Sequence, residues 1–342
     1  MIPQQGKSIH KKVDHSMEPK NSIGFFTRFS SKIGILLLNS LSRLPFPLLY
    51  LFSDFLYLLI YKGVGYRKSV VQKNLRNAYP DKSDEALKTI EIAYYKYLSS
   101  IMVEIFKMRT LSEKELNRRV KFKNIELVSK HLDQGQSILI CSPHYGNWEW
   151  SVLAMALHVQ AHIYTIYKPL SNPLFDKWFY QTRNRYGNTM VPMRHTLRAI
   201  KNTENETSIF CFANDQAPPK EESHHWVDFL NQPTSFHLGV EKIAQKTKRP
   251  VFYAAMKTIK KGFYEIEFAV ISLKPEQSEP LEITKTYARK LEETLNEAPP
   301  YWLWSHKRWK HQPETETTQN PNLYKPIPRD FESSIYSLPE KR

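Results

Sequence analysis

The alternation of short apolar runs with helical segments between residues 137 and 296 most constrains how this chain can fold. Strand-like runs are found at 137–142, 162–168, 189–193 and 208–214, and helical patterns at 148–158, 173–186, 194–202 and 236–247. Because strands separated by helices pair in parallel, the sequence predicts an α/β fold with a mostly parallel central sheet flanked by helices. Two adjoining runs, 251–258 and 263–271, predict an antiparallel hairpin before a last helix at 284–296.

The remaining segments divide the chain into four parts. Residues 1–22 are polar and predict a disordered N-terminus, and residues 23–65 form a hydrophobic helical segment. Residues 66–132 read as helices, so the α/β domain is predicted to extend over 66–310. Residues 311–342 contain five prolines and predict an irregular tail.

The hydrophobic segment predicts a membrane anchor. Between Phe46 and Tyr61, Asp54 is the one charged residue, and a helix of that length reaches about 24 Å, short of the ~30 Å hydrocarbon core. The apolar runs are flanked by six cations: Arg28, Lys32, Arg43, Lys62, Arg67 and Lys68. Apolar helices with cationic flanks are typical of attachment to an anionic membrane face, either spanning or in plane. A buried N-terminal helical hairpin is the alternative.

The net charge indicates the kind of partner, and the glycine content excludes two kinds of binding site. The chain has 49 Lys and Arg against 34 Asp and Glu, a net charge of +15, which indicates an anionic partner: nucleic acid, an anionic membrane or an acidic protein. Only 10 of 342 residues are glycine, and Gly63 and Gly65 form the only G-x-G without a third glycine at the fingerprint position. We therefore exclude dinucleotide-binding and P-loop chemistry.

Cysteine and histidine usage predicts neither disulfides nor a metal. The two cysteines, Cys141 and Cys211, lie in separate apolar runs and are expected to be buried thiols. The first twenty residues lack a signal-peptide pattern, which favours a reducing, cytoplasm-facing location. The cluster of Glu221, Glu222, His224 and His225 has no third ligand at a defined spacing, so we expect no metal and no other cofactor.

The most informative motif is PHYGNWE, residues 143–149, where the strand at 137–142 gives way to a helix. In open α/β sheets, ligands bind at the carboxyl ends of strands. On a continuous helix, His144 and Glu149 would point about 140° apart. Gly146 predicts a turn and Asn147 a helix N-cap, so the turn is expected to fold His144 back towards Glu149.

This arrangement predicts acid–base chemistry on a hydroxyl group. The carboxylate of Glu149 would hold one imidazole nitrogen of His144, while the other nitrogen takes a proton from a substrate alcohol. No serine or cysteine nucleophile is suitably placed, which favours direct transfer onto the alcohol. A solvated turn in a basic membrane- or nucleic-acid-binding protein, or a lipid hydrolase using the same pair, remain alternatives.

The strand–PHYGNWE–helix unit resembles the His-x4-Asp/Glu motif of the lysophospholipid acyltransferase superfamily, most closely its branch of bacterial late lipid A (lauroyl/myristoyl) acyltransferases. Five further blocks resemble that branch in the same order: Tyr66-Arg67 with Asn74-Leu75 and Ala78-Tyr79-Pro80, Ile166-Tyr167-Lys168-Pro169 with Asn172-Pro173, Arg183-Asn184-Arg185, Phe212-Ala213-Asn214-Asp215-Gln216, and Trp302 to Lys310. The likeness covers roughly residues 45–310. Two positions depart from it, Lys168 in place of Arg and Asn231 in place of Gly.

The resemblance implies transfer of a fatty acyl chain from an acyl-carrier-protein thioester to a hydroxyl of a lipid A precursor, at the cytoplasmic face of the inner membrane. Acylation of another lipid hydroxyl stays open. In this interpretation His144 is the general base and Glu149 orients it. The candidates for substrate binding are Asn147, or backbone N–H groups at the start of the helix, as oxyanion donors, Lys168, Arg183, Arg185 and Arg194 for a phosphate, and Asp215 and Gln216 at a strand end.

The last block, Trp302 to Lys310, allows two interpretations. Its cations and tryptophans could form a basic–aromatic patch at the membrane interface. They could equally belong to a packed C-terminal segment.

Overall fold

The computed structural model describes residues 23–313, so the predicted tails at 1–22 and 314–342 lie outside the described residues. The helices are α1 Phe25–Arg43, α2 Phe46–Tyr57, α3 Lys68–Ala78, α4 Asp84–Lys107, α5 Glu113–Arg119, α6 Glu126–Asp133, α7 Trp148–Ala156, α8 Pro173–Arg183, α9 Thr196–Asn202, α10 Gly239–Thr247 and α11 Glu282–Glu297. The strands are β1 Val120–Phe122, β2 Ile138–Ser142, β3 His162–Tyr167, β4 Thr189–Pro192, β5 Ser208–Ala213, β6 Trp226–Phe229, β7 Gln232–Ser235, β8 Val251–Lys260 and β9 Phe263–Ser272.

Seven strands form the central sheet in the order β1-β9-β8-β2-β5-β3-β4. Strand β2 pairs in parallel with β5 and β8, and β3 pairs in parallel with β5 and β4. The predicted hairpin is present as the antiparallel pair of β8 and β9. The expected mostly parallel α/β sheet flanked by helices is therefore confirmed.

The sheet separates two apolar cores because successive side chains of a strand point to opposite faces. In β2, Leu139 and Cys141 face the core formed with α4, α10 and α11, whereas Ile138 and Ile140 face the core that contains Trp150 of α7. Cys141 and Cys211 are free and buried, as predicted. Both faces of the central strands are covered, as a parallel sheet requires.

Two local features were missed by the sequence analysis. Strand β1 lies within the region predicted to be helical, and it pairs in parallel with the edge of β9. The two-stranded sheet of β6 and β7 is also absent from the prediction, because four-residue strands with a proline carry little periodicity. At the hairpin turn Asn231 has φ +59°, and among residues other than glycine asparagine tolerates this left-handed region best. Asn231, which stands in place of Gly, therefore preserves the turn.

The hydrophobic N-terminal segment is helical, as predicted. Helix α2 continues through a π-helix at Leu58–Val64, and Phe46–Val64 is the one stretch in the described residues long and apolar enough to cross a membrane. One face of α2 packs on α4, where Tyr50 donates a hydrogen bond to Glu104 over 3.0 Å. The opposite face exposes large apolar side chains, including Leu51 and Phe55. The segment is thus attached to the domain along one side and uncovered along the other.

Candidate active site

The turn that follows β2 is held in place by backbone contacts around Gly146. Its φ is +59°, and a Cβ atom here would lie 2.1 Å from the carbonyl oxygen of Met256. The Gly146 N–H donates to the Tyr301 carbonyl over 3.0 Å, and the Gly146 carbonyl accepts from the Tyr97 hydroxyl over 2.7 Å. This clamped turn presents His144 at the carboxyl end of the strand.

The carboxylate that holds His144 belongs to Asp215. Strands β2 and β5 are neighbours, with Ser142 opposite Ala213, so the residues that follow them leave the same edge of the sheet. The Nδ1 atom of His144 lies 2.7 Å from Asp215 Oδ1, and the His144 backbone N–H donates to Asp215 Oδ2 over 2.9 Å. The Trp302 indole also donates to Oδ2, over 2.7 Å. The Asp215 carboxylate is therefore held by three hydrogen bonds.

The expected contact between Glu149 and the imidazole is wrong. Glu149 lies in the first turn of α7, as predicted, but its side chain faces α8, where the Arg183 guanidinium binds both carboxylate oxygens. The distance from Arg183 Nε to Glu149 Oε2 is 2.7 Å. In the described part of the chain, the imidazole nitrogens have no hydrogen bond to Glu149. The turn directs Nδ1 towards β5, so the nearer carboxylate in sequence is not the partner.

The His144–Asp215 pair has shifted pKa values on both sides. Burial by itself would raise the pKa of Asp215, but the charge and hydrogen bonds of His144, together with the Trp302 indole, lower it to about 2. Burial would likewise lower the pKa of His144, and the Asp215 carboxylate outweighs this and raises that pKa above 6.5. Asp215 thus favours the protonated imidazole and keeps the ring in one orientation.

The second nitrogen of His144 is available for chemistry. In the neutral ring, with Nδ1–H donated to Asp215, Nε2 carries the lone pair. The Gln216 side-chain nitrogen lies 3.4 Å from Nε2, and the ring of Trp148 meets the imidazole edge-on with centroids 5.2 Å apart. The His144 side chain is 18% exposed, so the ring is not sealed from solvent. The arrangement is suited to accepting and returning one proton.

The Asn147 side chain is the predicted N-cap, and it is not free to bind an oxyanion. Its Oδ1 accepts from the Trp150 N–H over 3.1 Å, and its Nδ2 donates to Glu104 over 2.7 Å. Asn147 is fully buried. The proposed role as oxyanion donor is therefore incorrect, because both ends of the amide are used to hold the turn.

Glu104 is a supporting residue that the sequence analysis missed. This fully buried carboxylate of α4 accepts hydrogen bonds from Asn147, from Tyr264 of β9 and from Tyr50 of α2. A single acidic residue in the apolar C-terminal half of α4 was the available signal, since an isolated buried carboxylate must be paired.

The four predicted phosphate-binding cations do not form one cluster. Arg183 lies beside the His144 turn through its pair with Glu149, whereas Arg185 donates to backbone carbonyls of Met108 and Leu111 after α4. Lys168 and Arg194 are exposed in the segments that follow β3 and β4. Only Arg183 is thus placed next to the candidate catalytic pair.

The C-terminal block is a packed segment, and its interpretation as an interfacial patch is wrong. Trp302, Trp304 and Arg308 are buried, and the Arg308 guanidinium donates to the Ser235 carbonyl over 2.6 Å. His306 Nε2 accepts the Ala217 N–H over 3.1 Å, next to Gln216. Burial and the nearby cations lower the pKa of His306 to about 4, which keeps this ring neutral. The segment supports the Asp215 side of the site.

These features define a class of protein: an α/β enzyme with a partly buried, carboxylate-oriented histidine at the carboxyl edge of a parallel sheet. Comparison with known proteins identifies the family. Residues 17–311 match the family described as bacterial lipid A biosynthesis acyltransferase, which covers most of the chain. The chain belongs to this family and is an O-acyltransferase of lipid A biosynthesis.

Two relatives are similar over most of their length. A lipid A biosynthesis acyltransferase of Haemophilus influenzae is 24% identical over 277 residues, which cover 80% of this chain and 85% of the relative. A lipid A biosynthesis lauroyltransferase of Escherichia coli is 22% identical over 288 residues, covering 82% and 92%. The expected family is confirmed, and the non-enzymatic alternative is set aside.

Proposed function

We propose that His144 is the general base that moves a fatty acyl chain from an acyl-carrier-protein thioester to a hydroxyl of a lipid A precursor. The observation that carries this proposal is the His144–Asp215 pair, in which the carboxylate takes Nδ1 of a partly exposed ring and leaves Nε2 for the substrate. Asp215, rather than Glu149, takes the part of the orienting carboxylate. The family supports lipid A acylation, while the geometry supports the choice of base.

The proposed reaction needs no nucleophile from the protein. His144 Nε2 takes the proton of the acceptor hydroxyl as its oxygen attacks the thioester carbonyl, which forms the C–O bond and a tetrahedral intermediate. The intermediate collapses, the C–S bond breaks, and the imidazolium returns its proton to the leaving thiolate. The products are the ester and the free thiol of the carrier. Asp215 stabilises the imidazolium between these two proton transfers.

Arg183 is the proposed electrostatic residue of the site. Its Nε and Nη2 are occupied by Glu149, and within residues 23–313 Nη1 has no assigned hydrogen-bond partner. A fixed guanidinium beside the base can stabilise either the oxyanion of the intermediate or a phosphate of the acceptor. In this proposal the residue that Glu149 positions is Arg183 and not His144.

An apolar crevice beside the turn suits the acyl chain. It is narrow and lined by Trp148, Met155, Cys211, Met256 and Phe268. Pro143, which directly precedes His144, is also among its lining residues. We propose that the first part of the acyl chain enters here as the flexible side chains of Met155 and Met256 move aside, which places the thioester carbonyl beside the imidazole.

The proposed location is the cytoplasmic face of the inner membrane. The uncovered faces of α1 and α2 carry apolar side chains such as Phe26 and Leu51, which suit contact with lipid. The net charge of +15 suits an anionic membrane, an anionic lipid acceptor and an acidic carrier protein.

The test is acyl transfer by the full-length protein from lauroyl-acyl carrier protein to a lipid A precursor, followed by mass spectrometry. We expect His144→Ala to abolish ester formation, whereas His224→Ala, a matched change of an exposed histidine, leaves the rate unchanged. Retained turnover in His144→Ala would overturn the mechanism. Free fatty acid formed without acceptor would instead identify a hydrolase, and transfer only to lysophospholipid would identify another lipid acceptor.

A further inference from the structure

Exposed apolar side chains are concentrated in two places in the described chain. Most lie between residues 25 and 66, in the hydrophobic helical segment. Five lie elsewhere, and three of these belong to the segments that follow β3 and β4: Leu170, Met193 and Leu197. Met193 is 52% exposed, and Leu170 and Leu197 are each 44% exposed.

These three residues lie at the same edge of the sheet, where the parallel strands β3 and β4 end. Strands β3 and β4 are parallel neighbours, and Tyr167 is opposite Pro192 at their carboxyl ends. Leu170 follows β3 by three residues, and its N–H is held by Asp176 over 2.8 Å, which orders the loop. Met193 follows β4 directly, and Leu197 is one helical turn further. The apolar side chains therefore project from adjoining points of one edge.

The first turns of α1 extend past this edge. Ser31 accepts a hydrogen bond from Asn172 over 2.7 Å, and Asn39 accepts one from Trp178 over 2.9 Å, so α1 and α8 run in the same direction. The start of α1 therefore lies beyond the start of α8, next to the Leu170 loop. Phe25 and Phe26, at that start, are 78% and 86% exposed. The exposed apolar groups at the start of α1 therefore lie towards the same end of the molecule as the start of α8 and the Leu170 loop.

The same segments carry uncompensated positive charge. Lys168, Arg194 and Arg198 are exposed, and none of them takes part in the ion pairs found within residues 23–313. Burial, together with Arg194 and Arg198, lowers the pKa of His195 between them. Cations beside exposed apolar side chains match the interface of an anionic bilayer, where phosphates lie above the acyl chains.

We propose that these six residues, Leu170, Met193 and Leu197 with Lys168, Arg194 and Arg198, form a rim that contacts an anionic lipid bilayer directly. The contact is additional to that of α1 and α2, and the inference rests only on the proposed membrane association, not on the proposed chemistry. An acidic carrier protein would pair with the cations but would not need three uncovered apolar tips. The bilayer is therefore the partner that uses both kinds of residue.

The rim has a direct relation to the catalytic pair. Helix α8 begins beside Leu170 and ends at Arg183, whose guanidinium holds Glu149. The eleven residues of α8 span about 16 Å, which is the distance along the helix from the Leu170 end of the rim to Arg183. A lipid acceptor could then present a hydroxyl to His144 while its remaining chains stay in the membrane.

The test uses single cysteines labelled with an environment-sensitive dye in the full-length protein. Cys141 and Cys211 are buried, so the unmodified protein is the control for background labelling. Vesicles of phosphatidylcholine with phosphatidylglycerol should shift the dye emission to the blue at Met193→Cys and Leu197→Cys. They should leave it unchanged at Gln134→Cys, an exposed position in the turn before β2. Nitroxide-labelled lipids should quench the first two dyes and not the third.

A second pair of variants tests the charge. In the Met193→Cys protein, Arg194→Gln with Arg198→Gln should reduce the blue shift, while Lys130→Gln, an exposed lysine of α6, should not. The proposal is overturned if the protein sediments with vesicles while the rim dyes show no shift, since the helices alone would then hold the chain. It is equally overturned if acyl carrier protein shifts the dyes and vesicles do not. Neither result depends on whether acyl transfer is observed.

Discussion

At the scale of single residues, the reactivity of His144 depends on a carboxylate that lies 71 positions further along the chain. Local spacing suggested Glu149, because five residues and a turn can bring two side chains together. The parallel pairing of β2 and β5 instead brings Asp215 to the imidazole. Such a partner follows from the strand order, which a single sequence does not reveal.

The residue-scale prediction concerns Asp215→Asn. The free enzyme needs neutral His144 as a base, and Asp215 raises the pKa of this histidine, so the rate should rise with pH through a pKa above 6.5. Asparagine removes the carboxylate, and burial and Arg183 then lower that pKa. We expect kcat to fall on the order of 10³- to 10⁴-fold and the acid limb of kcat/KM to move to lower pH.

The measurement is the pH profile of kcat/KM for the wild type and for Asp215→Asn. Asp228→Asn, a change of an exposed aspartate in β6, is the matched control and should leave the profile unchanged. An acid limb that stays in place in Asp215→Asn would show that another group sets the pKa of the base.

At the scale of elements, local sequence patterns predicted the central strands and helices. Contacts between distant segments determined the features that were not predicted. Strands with continuous apolar runs, such as β2 and β5, were identified because both of their faces are buried. The packing of Trp302 against Asp215 could not be derived, since it joins a segment after α11 to the end of β5. The same contact explains why the C-terminal block packs instead of facing a membrane.

The turn between β2 and α7 gives the element-scale prediction. Alanine at Gly146 combines a left-handed φ with a Cβ placed against the Met256 carbonyl, so the backbone itself must move. We expect Gly146→Ala to lower the free energy of unfolding by at least about 2 kcal/mol. Because the turn carries His144, activity should fall even at temperatures where the protein remains folded.

The control for Gly146→Ala is Gly65→Ala, measured by denaturant unfolding. Gly65 has a similar φ of +64°, but nothing lies within 4 Å of its Cβ position. It should therefore show only the cost of the left-handed conformation, roughly 1 kcal/mol. Equal losses in the two variants would mean that the close approach of Met256 does not matter.

At the scale of the whole molecule, Glu104 connects the hydrophobic N-terminal segment, the sheet and the catalytic turn. Its carboxylate accepts hydrogen bonds from Tyr50 of α2, Tyr264 of β9 and Asn147 of the turn. Through these bonds α2, which exposes its other face, contributes to holding the turn that carries His144. The apolar segment is therefore part of the enzyme's architecture as well as a candidate membrane contact.

Because of this connection, we expect Glu104→Ala to destabilise the protein much more than Glu104→Gln. Alanine leaves the buried Asn147 amide and Tyr264 hydroxyl, at about 1–3 kcal/mol each, and the half-buried Tyr50 hydroxyl without this partner. Glutamine retains an acceptor oxygen, and the Tyr50 hydroxyl can accept from its amide. We expect Glu104→Ala to be several kcal/mol less stable, to exchange amide hydrogens faster in residues 143–150, and to lose acyl transfer. Glu126→Ala, an exposed change in α6, should alter none of these.

If Glu104→Ala lowered the stability but left both exchange in the turn and kcat unchanged, the buried carboxylate would support α4 alone. The catalytic turn would then be independent of the N-terminal helices.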